Sequence, residues 1–144
     1  ASESLRIVEK AAWQARPGLA VRSKMVKFPV ESDDLWAVVV HSPLQYPHGE
    51  DRSVSTRMNF IAVGGARMLT IPGEALPNIG FYLKRKMGGE HQFLLGLTND
   101  AFGYILTKVD FASFPAYKYI SRVSLGERTG EIYMDKALEL IRGR

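Results

Sequence analysis

The sequence contains no cysteine. Disulfides and thiolate metal sites are therefore excluded, while the compartment stays open, because many secreted proteins also lack disulfides. No apolar run approaches the roughly 20 residues that span a bilayer. The opening stretch, "ASESLRIVEK", has neither the basic start nor the apolar core of a signal peptide, and it has no methionine. That start fits a processed chain, a trimmed one or a piece of something longer. Low-complexity tracts and internal repeats are also missing. Charge is not concentrated either: 19 Lys and Arg against 15 Asp and Glu leave a net +4, scattered along the chain. A nucleic-acid binder would cluster its cations on one element with aromatics between them, so no nucleic-acid partner is expected. The densest group, Lys84-Arg85-Lys86, falls at the end of a predicted helix, where cations sit favourably against the negative end of the helix dipole.

What is present is ordinary globular material. The 144 residues, 46% hydrophobic and 24% charged, suffice for one domain, 1–144, with a real core. Leu5, Val8, Ala12 and Ala15 predict a helix over 3–15, stopped by Pro17-Gly18. Residues 19–28 alternate loosely and predict a half-exposed strand. Pro29 to Asp34 reads as a turn, and "LWAVVVHS" (35–42) as a short strand buried on both faces. A polar loop follows. Then "VSTRMNFIAV", Gly64-Gly65 and "ARMLTI" predict a β-hairpin. A helix is expected over 75–86, with Pro77 in its first turn and Gly88-Gly89 as its stop. "HQFLLGL" (91–97) reads as another buried strand. A long irregular stretch leads to a last helix at about 131–142. The expected fold class is α/β (or α+β): a mixed β-sheet flanked by helices, containing a β-α-β unit around residues 67–97.

That unit makes one corner interesting. "RMLTIPGEALPNIGFYLKRK" runs from an apolar strand into Pro72-Gly73, then Glu74, then a helix. If the strands at 67–71 and 92–97 lie parallel in one sheet, their C-terminal ends share an edge, the place where such sheets collect ligands. Glu74 leaves the first strand there. Thr98, Asn99 and Asp100 leave the second, and Tyr104 follows. His91 begins the second strand and belongs at the opposite edge. Each residue also has a plainer reading: Glu74 as a helix-terminus charge, Asn99-Asp100 as a turn or cap, Tyr104 as a half-buried core tyrosine.

The stretch "STRMNFIAVGGARMLTIPGEALPNIGFYLKRK" resembles the neutral/alkaline (non-lysosomal) ceramidase family, with its strand, tight turn, strand and P-G-E corner opening a helix. "LLGLTNDAFGYILTKVDF" is similar to the family's apolar strand, G-L-x-N and tyrosine followed by aliphatics and threonine. "AYKYISRVSLGERTGEIYMDKALELI" is similar to its tyrosine-plus-serine segment and closing helix. The resemblance spans roughly 19–142, the C-terminal part of that family's catalytic domain. It implies a zinc-dependent amidase that cleaves the amide of N-acylsphingosines. Carried over by motif, Glu74 and Tyr104 would be zinc ligands, Asn99 and Asp100 would belong to a supporting loop, and Tyr117 would face the substrate carbonyl as a catalytic residue. Zinc accepts imidazole and carboxylate ligands, keeps a position for water, and lowers that water's pKa.

The departures are equally specific. The family's two histidine ligands come from motifs in its N-terminal half, and neither motif occurs here. His41 and His48 lie in "HSPLQYPHG", which does not match them. The family's N-terminal catalytic serine segment is missing, its later immunoglobulin-like domain is missing, and Lys118 stands where the family carries an acidic residue. The expectation is therefore the C-terminal half of a ceramidase-like catalytic domain. Its partners would be the N-terminal half of the same protein and an N-acyl amide or lipid substrate, and its zinc site would be incomplete by itself. The alternative is a metal-free, non-catalytic interaction domain, or a homo-oligomer built through an exposed sheet edge.

Overall fold

A computed structural model describes residues 2–143. Strand β1 (Leu19–Pro29) pairs antiparallel along its whole length with β3 (Ser53–Val63). β3 turns through Gly64-Gly65 into β4 (Ala66–Thr70), and a two-residue β2 (His48–Gly49) extends β3 at its other end. β4 then leads by way of helix α3 (Pro77–Met87) into β6 (His91–Leu95), which pairs with it in parallel. The sheet order is β1-β3-β4-β6. The expected mixed sheet, the hairpin and the β-α-β unit are all present.

Helices α3 and α5 (Thr129–Arg142) pack on one face of this sheet and on each other. The core lies between them. Even-numbered residues of β1 and β3 point inward, so Val26, Phe28, Val54, Met58 and Phe60 meet Ile79, Leu83, Tyr133, Ala137 and Leu140. Burial of a large apolar side chain contributes about 1.5–3 kcal/mol, so this one face carries most of the stabilisation. Met87 and Leu83 follow Ile79 at helical spacing and are buried with it, while Lys84, Arg85 and Lys86 occupy the last turn of α3, the favourable end for cations.

Several elements depart from the sequence reading. "LWAVVVHS" forms no strand. Asp33–His41 is a helix, α2, because Ser32 caps it: its hydroxyl accepts from the Leu35 N–H at 3.3 Å, and Asp33 and Asp34 occupy the first turn. Leu35 and Val39, four apart, pack on the core, while Val38 remains 64% exposed. The first helix, α1, covers only Ser2–Lys10 and buries no residue. β6 is not buried on both faces; it is an edge strand that leaves Phe93 and Leu95 partly open. The helix after the P-G-E corner begins at Pro77, because Glu74–Ala75 belongs to a short strand, β5. The irregular stretch contains a matching strand β7 (Tyr104–Ile105), a 3-10 turn at Pro115–Tyr117 and a short helix α4 (Lys118–Arg122). No helix among the described residues is long and apolar enough to cross a membrane.

Candidate functional site

β5 and β7 form a separate two-stranded parallel sheet just beyond the C-terminal ends of β4 and β6. Its register sets Glu74 directly beside Tyr104 and Ala75 beside Ile105. The Glu74 N–H donates to the Gly103 carbonyl at 2.9 Å, and the Leu76 N–H to the Ile105 carbonyl at 3.1 Å. Laterally paired residues of a parallel sheet present their side chains on the same face, with backbones about 4.8 Å apart. A carboxylate and a phenol thus leave one rigid surface side by side. Glu74 is exposed, Tyr104 is half-buried, and Ile105 next to it is fully buried.

The approach of these two segments depends on glycine. A Cβ on Gly73 would lie 2.4 Å from the Gly103 carbonyl oxygen. Gly103 itself adopts a positive φ of 76° and presses against the Val123 carbonyl, to which the Tyr104 N–H donates at 2.8 Å. The strand is therefore clamped between the P-G-E corner and the chain after α4.

Asn99 and Asp100 sit at the start of the loop that delivers Tyr104. Asn99, at φ 74°, donates its side-chain amide to the Arg57 carbonyl of β3 at 2.5 Å. Asp100 accepts a hydrogen bond from the Tyr46 hydroxyl. Burial, reinforced by that bond and by the negative charge of Asp100, holds the Tyr46 phenol well above its ordinary pKa. Both residues are occupied in fastening the loop to the body of the domain.

Tyr117 closes the 3-10 turn and stacks edge-on against Phe114, with ring centroids 5.5 Å apart. The ring that packs against Tyr104 belongs instead to Tyr119, at 6.1 Å and 70°. Sequence reasoning passed over Tyr119 although it stands two residues from Tyr117 in "AYKYI". It also passed over Tyr46, whose distance of 54 residues from Asp100 leaves no local signal. The histidines lie elsewhere. His48 packs against Trp36, and its Nδ1 is 2.8 Å from the Tyr46 carbonyl oxygen. His41 ends α2. His91 opens β6 opposite Ala66, at the far edge of the sheet, as expected. Among the described residues no group of three or more His, Cys, Asp or Glu is placed to hold a metal ion. The carboxylate and phenol of Glu74 and Tyr104 are a chemically suitable pair of oxygen donors, but two are fewer than a zinc site needs.

No protein-family profile matches the sequence, and no curated protein does. Solved structures do match. One is the neutral ceramidase of Pseudomonas aeruginosa, with a TM-score of 0.60 at 14% identity, over 99% of this chain and 31% of that one. Another is a ceramidase complexed with C2, with a TM-score of 0.54 at 17% identity, over 79% of this chain and 19% of that one. This is a ceramidase-like fold. At these identities the likeness is one of fold, and the chain spans less than a third of the length of either ceramidase.

Proposed function

We propose that the chain is the C-terminal portion of a zinc-dependent amidohydrolase of ceramidase type. It would cleave the amide of ceramide-like N-acyl lipids when the N-terminal half of the domain is present. The observation that carries this reading is the lateral pairing of Glu74 with Tyr104 at the edge of a ceramidase-like sheet. These two side chains would hold one side of the metal, and imidazoles from the upstream half would complete it. Bound zinc would polarise the amide carbonyl and make its water acidic. This chain's own part is to fix two oxygen donors rigidly, with Asn99 and Asp100 anchoring the loop behind Tyr104, and with Tyr117 and Tyr119 as the phenols available to a substrate carbonyl.

Metal analysis of the full-length natural protein, with an N-acylsphingosine hydrolysis assay, tests the reading. Zinc and activity are expected in the full-length protein, and both are expected to be lost in Glu74→Ala. Unchanged zinc affinity in that variant would sink the assignment.

The second reading, a metal-free interaction domain derived from this fold, draws on the sequence, in which neither of the ceramidase family's two histidine motifs occurs. It expects a stable chain, no zinc in any context, and a Glu74→Ala effect confined to stability.

A further inference from the structure

The sheet has two faces, and α3 and α5 cover one of them. The register places Val21, Ile61, Met68 and Phe93 in a single row across β1, β3, β4 and β6, on the face turned away from α3 and α5. Leu19 and Val63 flank this row on one side, and Met25 and Leu95 lie on the same face. Leu19 is 72% exposed, Met25 59%, Val21 57%, Phe93 48% and Leu95 37%. Ser23, Lys27, Ser55, Arg57 and Asn59 share this face farther along β1 and β3, so its apolar part is a band that crosses all four strands nearer the Gly64-Gly65 turn.

The geometry points to this open face as the docking surface for a preceding segment of the same polypeptide, laid against the sheet as a second layer. The inference rests on the reading above, in which the remainder of the domain lies upstream. Length supports that occupant: the two ceramidases that share this fold are more than three times as long as the region matched here. Position supports it too. β4 and β6, which contribute Met68, Phe93 and Leu95, run directly into the Glu74 corner and the Asn99 loop, so a layer on this face reaches the candidate site. Charge argues against a second copy. None of β1, β3, β4 and β6 contains an Asp or Glu. The cations on the open face are Lys27, paired with Asp51 at 2.5 Å, and Arg57, for which no carboxylate partner occurs among the described residues. A second copy would bring the same excess of cations to this face, Lys27 and Arg57 against the already paired Asp51, whereas a different segment can bring a carboxylate with its apolar side chains.

The absence of cysteine makes this testable by thiol labelling. Val21→Cys and Leu19→Cys each place a thiol on the open face, and Lys86→Cys places one on the solvent side of α3. Each is made in the isolated chain and in the full-length natural protein, and maleimide uptake at the labelled peptide is followed by mass spectrometry. In the isolated chain all three are expected to react at similar rates. In the full-length protein the two open-face thiols are expected to slow at least tenfold while the α3 thiol does not. Equal rates in both proteins would overturn the inference. So would protection already present in the isolated chain that grows with its concentration, which would identify a second copy as the occupant. Zinc is measured on the same samples: protection without zinc supports the docking surface and defeats the metal reading, and zinc without protection does the reverse.

Discussion

Glu74 and Tyr104 are register partners in a two-stranded parallel sheet, 30 residues apart in the chain and adjacent in space. Among the described residues the Glu74 side chain takes part in no hydrogen bond or ion pair. Its backbone N–H is satisfied by Gly103, and its carboxylate is exposed. Glu74→Gln should therefore change the stability of the isolated chain by no more than about 0.5 kcal/mol, the usual range for an exposed position. Urea unfolding checks this. A larger loss would give the residue a structural role and weaken the case that it was placed there for chemistry.

Gly73 should behave in the opposite way. A methyl group there meets backbone rather than a movable side chain, at 2.4 Å from the Gly103 oxygen. The β5–β7 pairing has to open to admit it. Gly73→Ala should cost about 1–3 kcal/mol, as over-packing usually does. It should also raise amide exchange at Glu74 and Leu76, whose N–H groups bond across this junction.

The parts of the fold visible in the sequence were those set by local chemistry. Gly64-Gly65 between alternating apolar runs marks the hairpin, and Pro77 followed by Ile79, Leu83 and Met87 marks α3. The strand at 67–71 and the edge positions of Glu74 and His91 followed from these. The errors came from tertiary context. The apolar run Leu35–Val40 is equally compatible with a buried strand and a short helix, and the deciding signal was the Ser32 cap with Asp33 and Asp34, which read as a turn. β6 has the composition of a buried strand because its outer face carries Phe93 and Leu95, although these remain 48% and 37% exposed. The site was legible only as a shared edge. That Glu74 and Tyr104 pair laterally depends on Gly73 and Gly103 allowing two segments to touch, and no periodicity encodes that contact.

Tyrosine ionisation should limit the fold at high pH. Tyr133 is completely buried and donates to the Thr70 carbonyl at 3.2 Å, so burial raises its pKa well above the ordinary value. Tyr46 is shifted the same way by burial and by Asp100. A raised folded-state pKa contributes stability that is fully present below the unfolded value, roughly 10 for tyrosine, and is lost as pH rises beyond it. Thermal stability should be level from pH 7 to about 10 and should fall above that, in step with tyrosinate absorbance. Tyr133→Phe should cost about 1 kcal/mol at neutral pH through its hydrogen bond, and should make the alkaline decline shallower.

At the acidic end the sensitive group joins helix to sheet. Glu139 on α5 accepts from Lys136 at 2.6 Å and from Lys24 on β1. The Lys136 hydrogen bond, then that of Lys24, hold its carboxyl below the ordinary glutamate range. Asp51 is lowered likewise by Lys27 and then Ser53. A depressed folded-state pKa gives stability that is present above the unfolded value, about 4.3 for glutamate, and is lost as pH falls through the folded one. Melting temperature should therefore hold steady from pH 7 to about 5 and decline below it. Because the pairs are solvent-accessible, added salt should weaken the effect. Glu139→Gln should lower the melting temperature slightly at pH 7 and flatten the acid limb. A variant whose melting temperature tracks the parent across the whole range would mean that the Lys24–Glu139 link contributes nothing to holding α5 on the sheet.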